Sequence, residues 1–303
     1  MSVDAVLIAG PTASGKSVAA LALAGHTHGI VINTDSMQVY REARILTARP
    51  SSEDEARAPH LLYGHVGVDD SYSVARYLAD AADAFEAARR QKRLPIFVGG
   101  TGLYFSALID GLADIPPVPA EIRAQAKMRR DELGPEAFHA ELAARDGETA
   151  RRLRPSDAQR VLRAYEVFEA TGRPISEWQR TKPLQGPLSG LALARFVLAP
   201  ERAELHRRID RRFDAMLAAG AMEEAAALAG LDPARPAAKI LGLRELQAVR
   251  GGTMTLEEGR AAAQAATRQY AKRQLTWFRN RMPDWPRLDS PSNLLTKNLS
   301  QLI

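Results

Sequence analysis

The chain has 303 residues, and 46% of them are hydrophobic, a composition typical of a folded globular protein. It contains no cysteine, so disulfides and thiolate metal sites are excluded. The net charge of +5 favours polyanionic partners, although the distribution of charge matters more than its sum. An apolar run begins at residue 3, and no apolar stretch approaches about 18 residues. We therefore expect a cytoplasmic protein without a signal peptide or a membrane helix.

The first apolar run, at residues 3–9, is typical of a buried strand, and an Ala/Leu-rich helix is predicted at residues 18–25. The residues between them match the phosphate-binding pattern G-x-x-x-x-G-K-[ST] in full. Glycines let backbone amides turn toward an anion, and the helix directs the positive end of its dipole at the same place. We predict a diphosphate-binding loop made of Gly10, Pro11, Thr12, Ala13, Ser14, Gly15, Lys16 and Ser17.

Strand and helix continue to alternate after this loop. Strands are predicted at residues 30–34 and 95–98, with a helix at residues 74–91 between them, which indicates a parallel sheet covered by helices. The first of these strands is followed by Asp35, and parallel strands place their carboxyl ends in one crevice. Asp35 is therefore a candidate magnesium partner or a base facing a substrate, and the alternative is that it caps a helix.

The strand at residues 95–98 runs into the turn Gly99-Gly-Thr-Gly102 and has no acidic residue at its end. Nucleotide hydrolases usually place a magnesium-binding carboxylate at such a position, so this turn argues against an ordinary ATPase. Thr101 lies where the backbone and a hydroxyl can approach a ligand closely, which makes it a candidate site residue. A purely structural turn is the alternative.

A charged, helical segment then interrupts the alternation. The stiff sequence Pro116-Pro-Val-Pro119 leads into it, a Pro/Gly-rich loop at residues 181–190 follows it, and one more core strand is predicted at residues 191–198. The sequence thus predicts an α/β fold, a P-loop NTPase-like parallel sheet with helices on both faces and an inserted all-helical domain. The catalytic core would comprise residues 1–114 and 191–303 and the insertion residues 115–190, with helices at 121–132, 135–145, 148–153 and 157–171.

Basic residues recur on helices predicted in the C-terminal third. Arg208 and Arg212 are one helical turn apart and could close over the phosphates, although surface charge is the ordinary role of such residues. Arg268, Lys272 and Arg279 share one face of a helix, beside an apolar stripe. That face suits contact with an RNA backbone, and a solvated outer face is the alternative.

Five sequence segments, in order, carry a resemblance that spans nearly the whole chain. They are GPTASGKS, TDSMQVY, VGGTGLYFSAL, DAQRVLRAYEVFEATGRPIS and YAKRQLTWFRNR. The chain resembles the bacterial tRNA dimethylallyltransferases, which prenylate the adenosine next to the anticodon. The resemblance implies a P-loop core with an inserted helical domain that binds tRNA at its anticodon stem-loop. It also implies dimethylallyl diphosphate as the donor in place of ATP, with Mg²⁺ as the cofactor.

The resemblance further implies roles for individual residues. The loop would hold the diphosphate leaving group, with Lys16 as an electrostatic stabiliser and Ser17 as a ligand of Mg²⁺. Asp35 would orient the exocyclic amine of adenosine and take its proton, and Thr101 would be a further catalytic residue. The reacting base must be extruded, because its amine is inaccessible while it is stacked. The implied tRNA contacts are Asp35, Ser36, Met37, Gln38, Thr101, Arg123, Gln159, Arg160, Val161, Leu162 and Arg163.

Two of these contacts have structural alternatives, and the chain departs from the family pattern at two places. Ser156-x-x-Gln159 matches a capping box, in which Gln159 would secure a helix end, and Arg123 could be an exposed, solvated charge. Residues 45–50, ILTARP, stand where the family usually has Gly-Thr-Ala-Lys-Pro, and residues 240–245, ILGLRE, lack a usual tyrosine. These departures concern the fit to RNA more than the reaction.

The predicted activity is transfer of a dimethylallyl group, with release of diphosphate, to the adenosine 3′-adjacent to the anticodon of tRNAs that read codons beginning with U. A monomeric enzyme is expected. Three alternatives stay open: a small-molecule P-loop kinase that turns over ATP, a prenyltransferase acting on free adenine nucleotides, and a non-catalytic RNA-binding module. The helical insertion and the distributed arginines favour an RNA-sized acceptor.

Overall fold

A computed structural model describes residues 3–181 and 184–294. The loop predicted at residues 181–190 lies in part outside the described residues, because 182 and 183 are not among them. The chain divides into two compact units: residues 110–186 form the smaller one, and the segments before and after it form the larger one. The predicted insertion, residues 115–190, begins and ends a few residues later than this smaller unit.

The larger unit is built on a six-stranded sheet in which all paired strands are parallel, as predicted. The strand Ala5–Ala9 is fully buried, and its sequence is a continuous apolar run because both of its faces are covered. In chain order the strands are β1 (Ala5–Ala9), β2 (Ile30–Asn33), β3 (His60–Leu61), β4 (Pro95–Gly99), β5 (Leu193–Leu198) and β6 (Arg287–Leu288), and their order in the sheet is β3-β2-β4-β1-β5-β6.

Helices cover both faces of this sheet, which confirms the predicted fold class. Alternate residues of β1 join different apolar clusters: Val6 and Ile8 join one with Leu23, whereas Leu7 joins another with Tyr77 and Phe278. No helix within the two described ranges is long and apolar enough to cross a membrane. The helices are α1 (Lys16–Thr27), α2 (Ser52–Arg57), α3 (Val74–Arg90), α4 (Gly102–Asp110), α5 (Ala120–Arg145), α6 (Gly147–Arg152), α7 (Ala158–Thr171), α8 (Ile175–Trp178), α9 (Arg202–Ala218), α10 (Ala221–Ala227), α11 (Leu243–Arg250) and α12 (Leu256–Arg281), and a short 3₁₀ helix spans Pro236–Lys239.

The smaller unit contains α5 to α8 around an apolar core of its own, to which Phe138 and Leu142 belong. The break predicted between residues 132 and 135 is present, because α5 is interrupted at Gly134, where φ is 76° and ψ is 170°. The capping box of Ser156 and Gln159, expected as an alternative to an RNA contact, does not match the start of α7. The helix begins one residue later than that box requires, with Asp157 as its N-cap, and the Asp157 side chain accepts no capping hydrogen bond from the helix backbone.

The predicted borders of the strands and helices up to β5 differ from the observed ones by a residue or two, and several elements were not predicted, among them α2, α4, α8, β3 and β6. The helix predicted at residues 18–25 begins earlier, at Lys16 within the phosphate-binding motif, because Gly15 already turns the chain into it. The strands β3 and β6 have two residues each, too few for an apolar pattern to reveal them. The short helix α2 has no buried residue, so it carries no apolar periodicity either.

The ends of β2 and β4 approach each other closely at Gly99. The Thr34 amide donates to the Val98 carbonyl at 2.8 Å, and the Thr101 amide donates to the Thr34 carbonyl at 3.2 Å. A Cβ atom added at Gly99 would overlap the Thr34 carbonyl oxygen. Glycine is therefore required where the turn after β4 meets the segment after β2.

We expect Gly99→Ala to lower the free energy of unfolding by at least about 2 kcal/mol, because the new methyl group would force β2 and β4 apart. Gly25→Ala is the matched control: it lies in α1, where an added Cβ would have no neighbour within 4 Å, and alanine should be neutral or stabilising there. Urea denaturation followed by circular dichroism measures both changes. Equal stability of the two variants would contradict the expectation.

Candidate active site

The predicted phosphate-binding loop lies between β1 and α1, in the strand–loop–helix setting that its motif requires. Gly15 has a φ of 90°, a left-handed conformation that glycine adopts without steric cost, and α1 begins at the next residue. At Gly10 an added Cβ would lie only 2.7 Å from the Ser14 hydroxyl oxygen. Ser17 is exposed in the first turn of α1. The loop is a tight bend at the positive end of a helix, an arrangement that attracts anions.

Lys16 is a buried cation within this loop. Its ammonium group donates to the Pro11 carbonyl oxygen at 3.2 Å. Burial lowers the pKa of Lys16 from its usual value to about 8; the negative charge of Asp35 opposes this shift, and the positive charge of Arg212 adds to it. The charge of this lysine therefore responds to any anion that enters the loop.

Arg208 and Arg212 of α9 both contact the loop, so surface charge is not their only role. The Arg212 guanidinium donates to the Thr12 hydroxyl. Burial lowers the pKa of Arg212 to about 10, and the charge of Asp35 opposes that shift. The Arg208 guanidinium donates to the Ser14 carbonyl at 3.3 Å and to Glu204 at 2.7 Å. The two guanidinium groups place positive charge beside the predicted phosphate site.

Asp35 lies two residues after the end of β2 and begins no helix, so the alternative of a helix cap is wrong. Its Oδ1 accepts from the Met37 backbone amide at 3.0 Å. The Asn33 side chain accepts from the Asp35 amide at 2.9 Å and donates to the Asp35 carbonyl at 2.9 Å, which fixes the backbone on both sides. Among the described residues, Oδ2 has no hydrogen-bond partner. Asp35 thus presents one free carboxylate oxygen from a rigid turn.

Thr101 holds this turn in place. Its hydroxyl oxygen accepts from the Ser36 backbone amide at 2.9 Å, and its O–H group donates to the Ser36 hydroxyl at 3.2 Å. Because the Thr101 amide is also bonded to the Thr34 carbonyl, the residue is connected to both sides of Asp35. The structure therefore brings Asp35, Ser36 and Thr101 together.

A cavity of about 320 Å³ lies within the larger unit, beside the loop. Thr12 of the loop, Asp35 and Arg212 all line it, so the loop and the carboxylate face the same cavity. The remaining walls are mainly apolar and complement a ligand that carries a hydrocarbon group on an anionic head. They are formed by Ser36, Met37, Leu46, Thr47, Ile209, Phe213, Met216, Lys239, Ile240, Leu241, Thr267, Tyr270 and Arg273.

Two residues of α12 belong to this site although no sequence pattern predicts a role for them. Gln274 is buried; its Oε1 accepts from the Thr12 amide at 2.9 Å, and its Nε2 donates to the Gly100 carbonyl at 2.8 Å. Tyr270 lines the cavity, and its pKa is raised by burial and by the nearby charge of Asp35. Both residues lie in the segment YAKRQLTWFRNR. The motif marks the segment, but it does not reveal which side chains face the loop.

Gln38, a predicted tRNA contact, has a structural role in the cavity wall. It is buried, and its Nε2 donates to the carbonyls of Thr47 at 3.0 Å and Ala48 at 2.7 Å. The neighbouring backbone amides of residues 44–46 all donate to the Glu224 carboxylate of α10, at 2.7 to 2.8 Å. The loop that carries Leu46 and Thr47 into the cavity is therefore held from two sides.

Arg49, which stands where the family pattern usually has lysine, contacts two backbone carbonyls, and nothing in the structure explains the substitution. Its guanidinium donates to the carbonyls of Tyr40 at 3.3 Å and Arg41 at 3.1 Å. Both hydrogen bonds come from Nη1, so they do not depend on the fork of donors that distinguishes arginine from lysine. The arginine thus takes part in the packing of the loop at the cavity wall.

Arg123 and Arg163, two of the predicted RNA contacts, lie on the smaller unit near one carboxyl group. Burial raises the pKa of Glu166, and the charges of Arg163 and Arg123 oppose that shift. Arg163 lies 3.8 Å from Glu166, and Arg123 is exposed on α5. The helices α5 and α7 therefore place these two predicted contacts close to each other.

The remaining predicted contacts lie on α7 and differ in exposure. Gln159 is exposed, as is Arg160, which lies 3.5 Å from Asp157. Val161, in contrast, is 1% exposed in the apolar core of this unit, and Leu162 packs partly buried against the same core. Contact between the Val161 side chain and RNA is therefore excluded in this structure, and the prediction is wrong for that side chain.

The basic face predicted on α12 is only partly available. Arg268 pairs with Asp210 of α9, so it joins two helices. Lys272 and Arg279 are exposed. Of the three basic side chains on the predicted RNA-binding face, Arg268 is thus engaged by Asp210, and the other two are exposed.

A phosphate-binding loop after the central strand of a parallel sheet, beside a carboxylate after a nearby strand, defines a P-loop NTPase-like protein. A sequence model of the IPP transferase family matches residues 38–281, and the chain belongs to this family. The resemblance seen in the five sequence segments is thereby confirmed.

Relatives and solved structures agree with this assignment. The tRNA dimethylallyltransferase of Nitrobacter hamburgensis is 54% identical, over 93% of this chain and 89% of the relative, and that of Rhizobium meliloti is 48% identical, over 96% and 97%. The crystal structure of the tRNA isopentenylpyrophosphate transferase of Bacillus halodurans has a TM-score of 0.66 at 34% identity, over 93% of this chain and 88% of that one. A eukaryotic dimethylallyltransferase, crystallised acting on tRNA, has a TM-score of 0.80 at 27% identity, over 98% and 76%.

We expect the affinity for inorganic diphosphate to fall as the pH rises through about 8, because Lys16 loses its proton there in the free protein. Below that pH the charged lysine attracts the anion; above it, binding must first recruit a proton. Lys16→Met removes the group, so the ratio of variant to wild-type dissociation constants should shrink between about pH 7 and about pH 10. Calorimetric titration at several pH values measures this ratio. Ionisation of the ligand affects both proteins equally, so a constant ratio would refute the expectation.

Proposed function

We propose that this protein transfers the dimethylallyl group of dimethylallyl diphosphate to the exocyclic amine of the adenosine 3′-adjacent to the anticodon, in tRNAs that read codons beginning with U. Beyond family membership, one observation carries the proposal: the phosphate-binding loop, through Thr12, and Asp35 line the same mainly apolar cavity. A diphosphate ester of a short hydrocarbon chain has the matching layout. Its head would lie in the loop and its tail against the apolar walls.

The diphosphate head would be held by the loop amides, Lys16 and the positive end of α1. Arg208 and Arg212 already contact the loop, so they stand within reach of the same phosphates. Negative charge grows on the diphosphate as the allylic carbon–oxygen bond breaks. Fixed cations that face this charge stabilise the transition state more than the ground state, and they need no reorganisation to do so.

The exposed hydroxyl of Ser17 fits a Mg²⁺ ion shared with the diphosphate. Mg²⁺ prefers oxygen ligands and usually keeps several waters while it joins one or two protein oxygens to substrate phosphates. Ser17 offers one such oxygen in the first turn of α1, and its exposure leaves room for waters. Bound there, the ion would neutralise charge on the leaving group.

Asp35 would orient the adenosine amine and receive its proton. Its Oδ1 is occupied by the Met37 amide, so Oδ2 is the atom that would accept from the substrate. During transfer the bond between the allylic carbon and the diphosphate oxygen breaks, the carbon–nitrogen bond forms, and the amine loses one proton to Oδ2. Thr101 would support this step by holding Ser36, and with it the carboxylate.

The smaller unit would supply an RNA-binding surface. The exposed arginines Arg123, Arg160 and Arg163 suit contacts with phosphates, which position RNA without reading its sequence. Gln159 is exposed on the same turn of α7 as Arg160. Because the acceptor amine must reach Asp35, the adenosine has to leave its stack, which favours an unpaired loop nucleotide over a duplex one.

Mass spectrometry of nucleosides tests the activity directly. An unmodified tRNA that reads a codon beginning with U, incubated with protein, Mg²⁺ and dimethylallyl diphosphate, should gain one C5H8 unit on the adenosine next to the anticodon. The same tRNA with guanosine at that position is the control and should gain nothing. Absence of the C5H8 gain with active donor would overturn the proposal. Phosphoryl transfer from labelled ATP would support the kinase alternative instead.

Asp35→Asn should lower kcat by about 100-fold or more, because the amide cannot take the amine proton. The substitution preserves the turn, since the asparagine oxygen can still accept from the Met37 amide. Binding of tRNA, measured by filter retention, should stay within about threefold of wild type, because phosphate contacts dominate RNA affinity. A variant with wild-type kcat would show that Asp35 is not the proton acceptor.

A further inference from the structure

Gln274 is a buried amide that joins two turns of the site. It lies on α12 and is 5% exposed. Its Oε1 accepts from the Thr12 amide in the phosphate-binding loop at 2.9 Å, and its Nε2 donates to the Gly100 carbonyl in the turn after β4 at 2.8 Å. One planar side-chain group therefore bridges the loop after β1 and the turn after β4.

The turn after β4 also positions the Asp35 carboxylate. Gly100 precedes Thr101, whose hydroxyl accepts from the amide of Ser36, the residue next to Asp35. A Cβ atom added at Gly100 would lie 3.1 Å from Asp35 Oδ2 and would overlap Gln274 Nε2. The Gln274 amide and the Asp35 carboxylate thus lie around the same glycine, and only glycine leaves space for both.

The backbone alone does not maintain the spacing between this turn and the loop. Among the described residues, the last backbone hydrogen bond between the two chain segments joins the ends of β1 and β4, where the Gly10 amide donates to the Gly99 carbonyl at 3.3 Å. Beyond it, the connection from Thr12 to Gly100 runs through Gln274. Because a buried amide is costly to leave unpaired, the two hydrogen bonds of Gln274 favour one fixed separation.

We propose that Gln274 is a positioning residue for the transfer step, which sets the separation between the loop that holds the donor and the turn that holds Asp35. The inference rests on the proposed function. The loop would fix the reacting carbon and Asp35 the reacting nitrogen, so their distance follows the spacing of loop and turn. A misplacement of about 1 Å can slow such a reaction about 100-fold. The binding of each substrate by itself does not depend on this spacing.

The test compares Gln274→Met with Gln247→Met. Methionine keeps the length of glutamine but has no amide. Gln247 is a matched control, because it also donates to a backbone carbonyl, that of Leu228 at 3.0 Å, but on α11 and outside the site. We expect Gln274→Met to lower kcat about 10- to 100-fold while KM for the donor and the dissociation constant for tRNA stay within about threefold. Gln247→Met should keep kcat within about threefold of wild type.

Thermal melts establish that each variant is folded. Where Gln274→Met does not fold, Gln274→Glu replaces it at about pH 8: its carboxylate still accepts from Thr12 but cannot donate to Gly100, so kcat should again fall. A fall of less than about fivefold in a folded variant, or a loss found only in KM or tRNA affinity, would overturn the inference. Failure of the wild-type protein to transfer the prenyl group would instead overturn the proposed function.

Discussion

The site is organised by the cost of burying like charges. Burial lowers the pKa of both Lys16 and Arg212, and the charge of Arg212 lowers that of Lys16 further. Asp35 opposes both shifts, so two cations share one carboxylate. Such a site favours an anionic ligand, because an anion restores interactions that the cations lose when they leave water. The loop after β1, the arginine of α9 and the carboxylate after β2 therefore act as one electrostatic unit.

Parallel pairing explains how distant parts of the chain supply this unit. β4 lies between β1 and β2, so all three strands end at the same edge of the sheet. The phosphate-binding loop, Asp35 and the turn with Thr101 each follow one of these strands. Gly99 and Gly100 let the turn and its neighbours approach more closely than a side chain would permit. The strand order and these two glycines thus determine where the site residues lie, and helices on one face of the sheet complete the cavity.

Local signals were enough to predict the fold class, the loop and the position of Asp35, because each depends on a short motif or an apolar run. Residues whose role depends on tertiary contact could not be assigned. Gln274 bonds to a residue 262 positions away, and no local pattern reports such a contact. Arg212 is a second example, since the sequence pattern around a basic residue on a helix is the same whether its side chain faces solvent or the phosphate-binding loop. Val161 was misassigned because a motif marks consecutive residues, whereas a helix buries some of them.

The position of β5 matters while the protein is being synthesised. β1 pairs with β4 on one side and with β5 on the other, and β5 follows the whole helical segment of residues 110–186. One edge of the apolar strand β1 therefore has no partner until residues 193–198 leave the ribosome. The contacts of the helical segment are local, so it can fold while the sheet is still incomplete. An N-terminal fragment that ends before β5 would expose an apolar sheet edge, which makes premature termination in this region a direct route to aggregation.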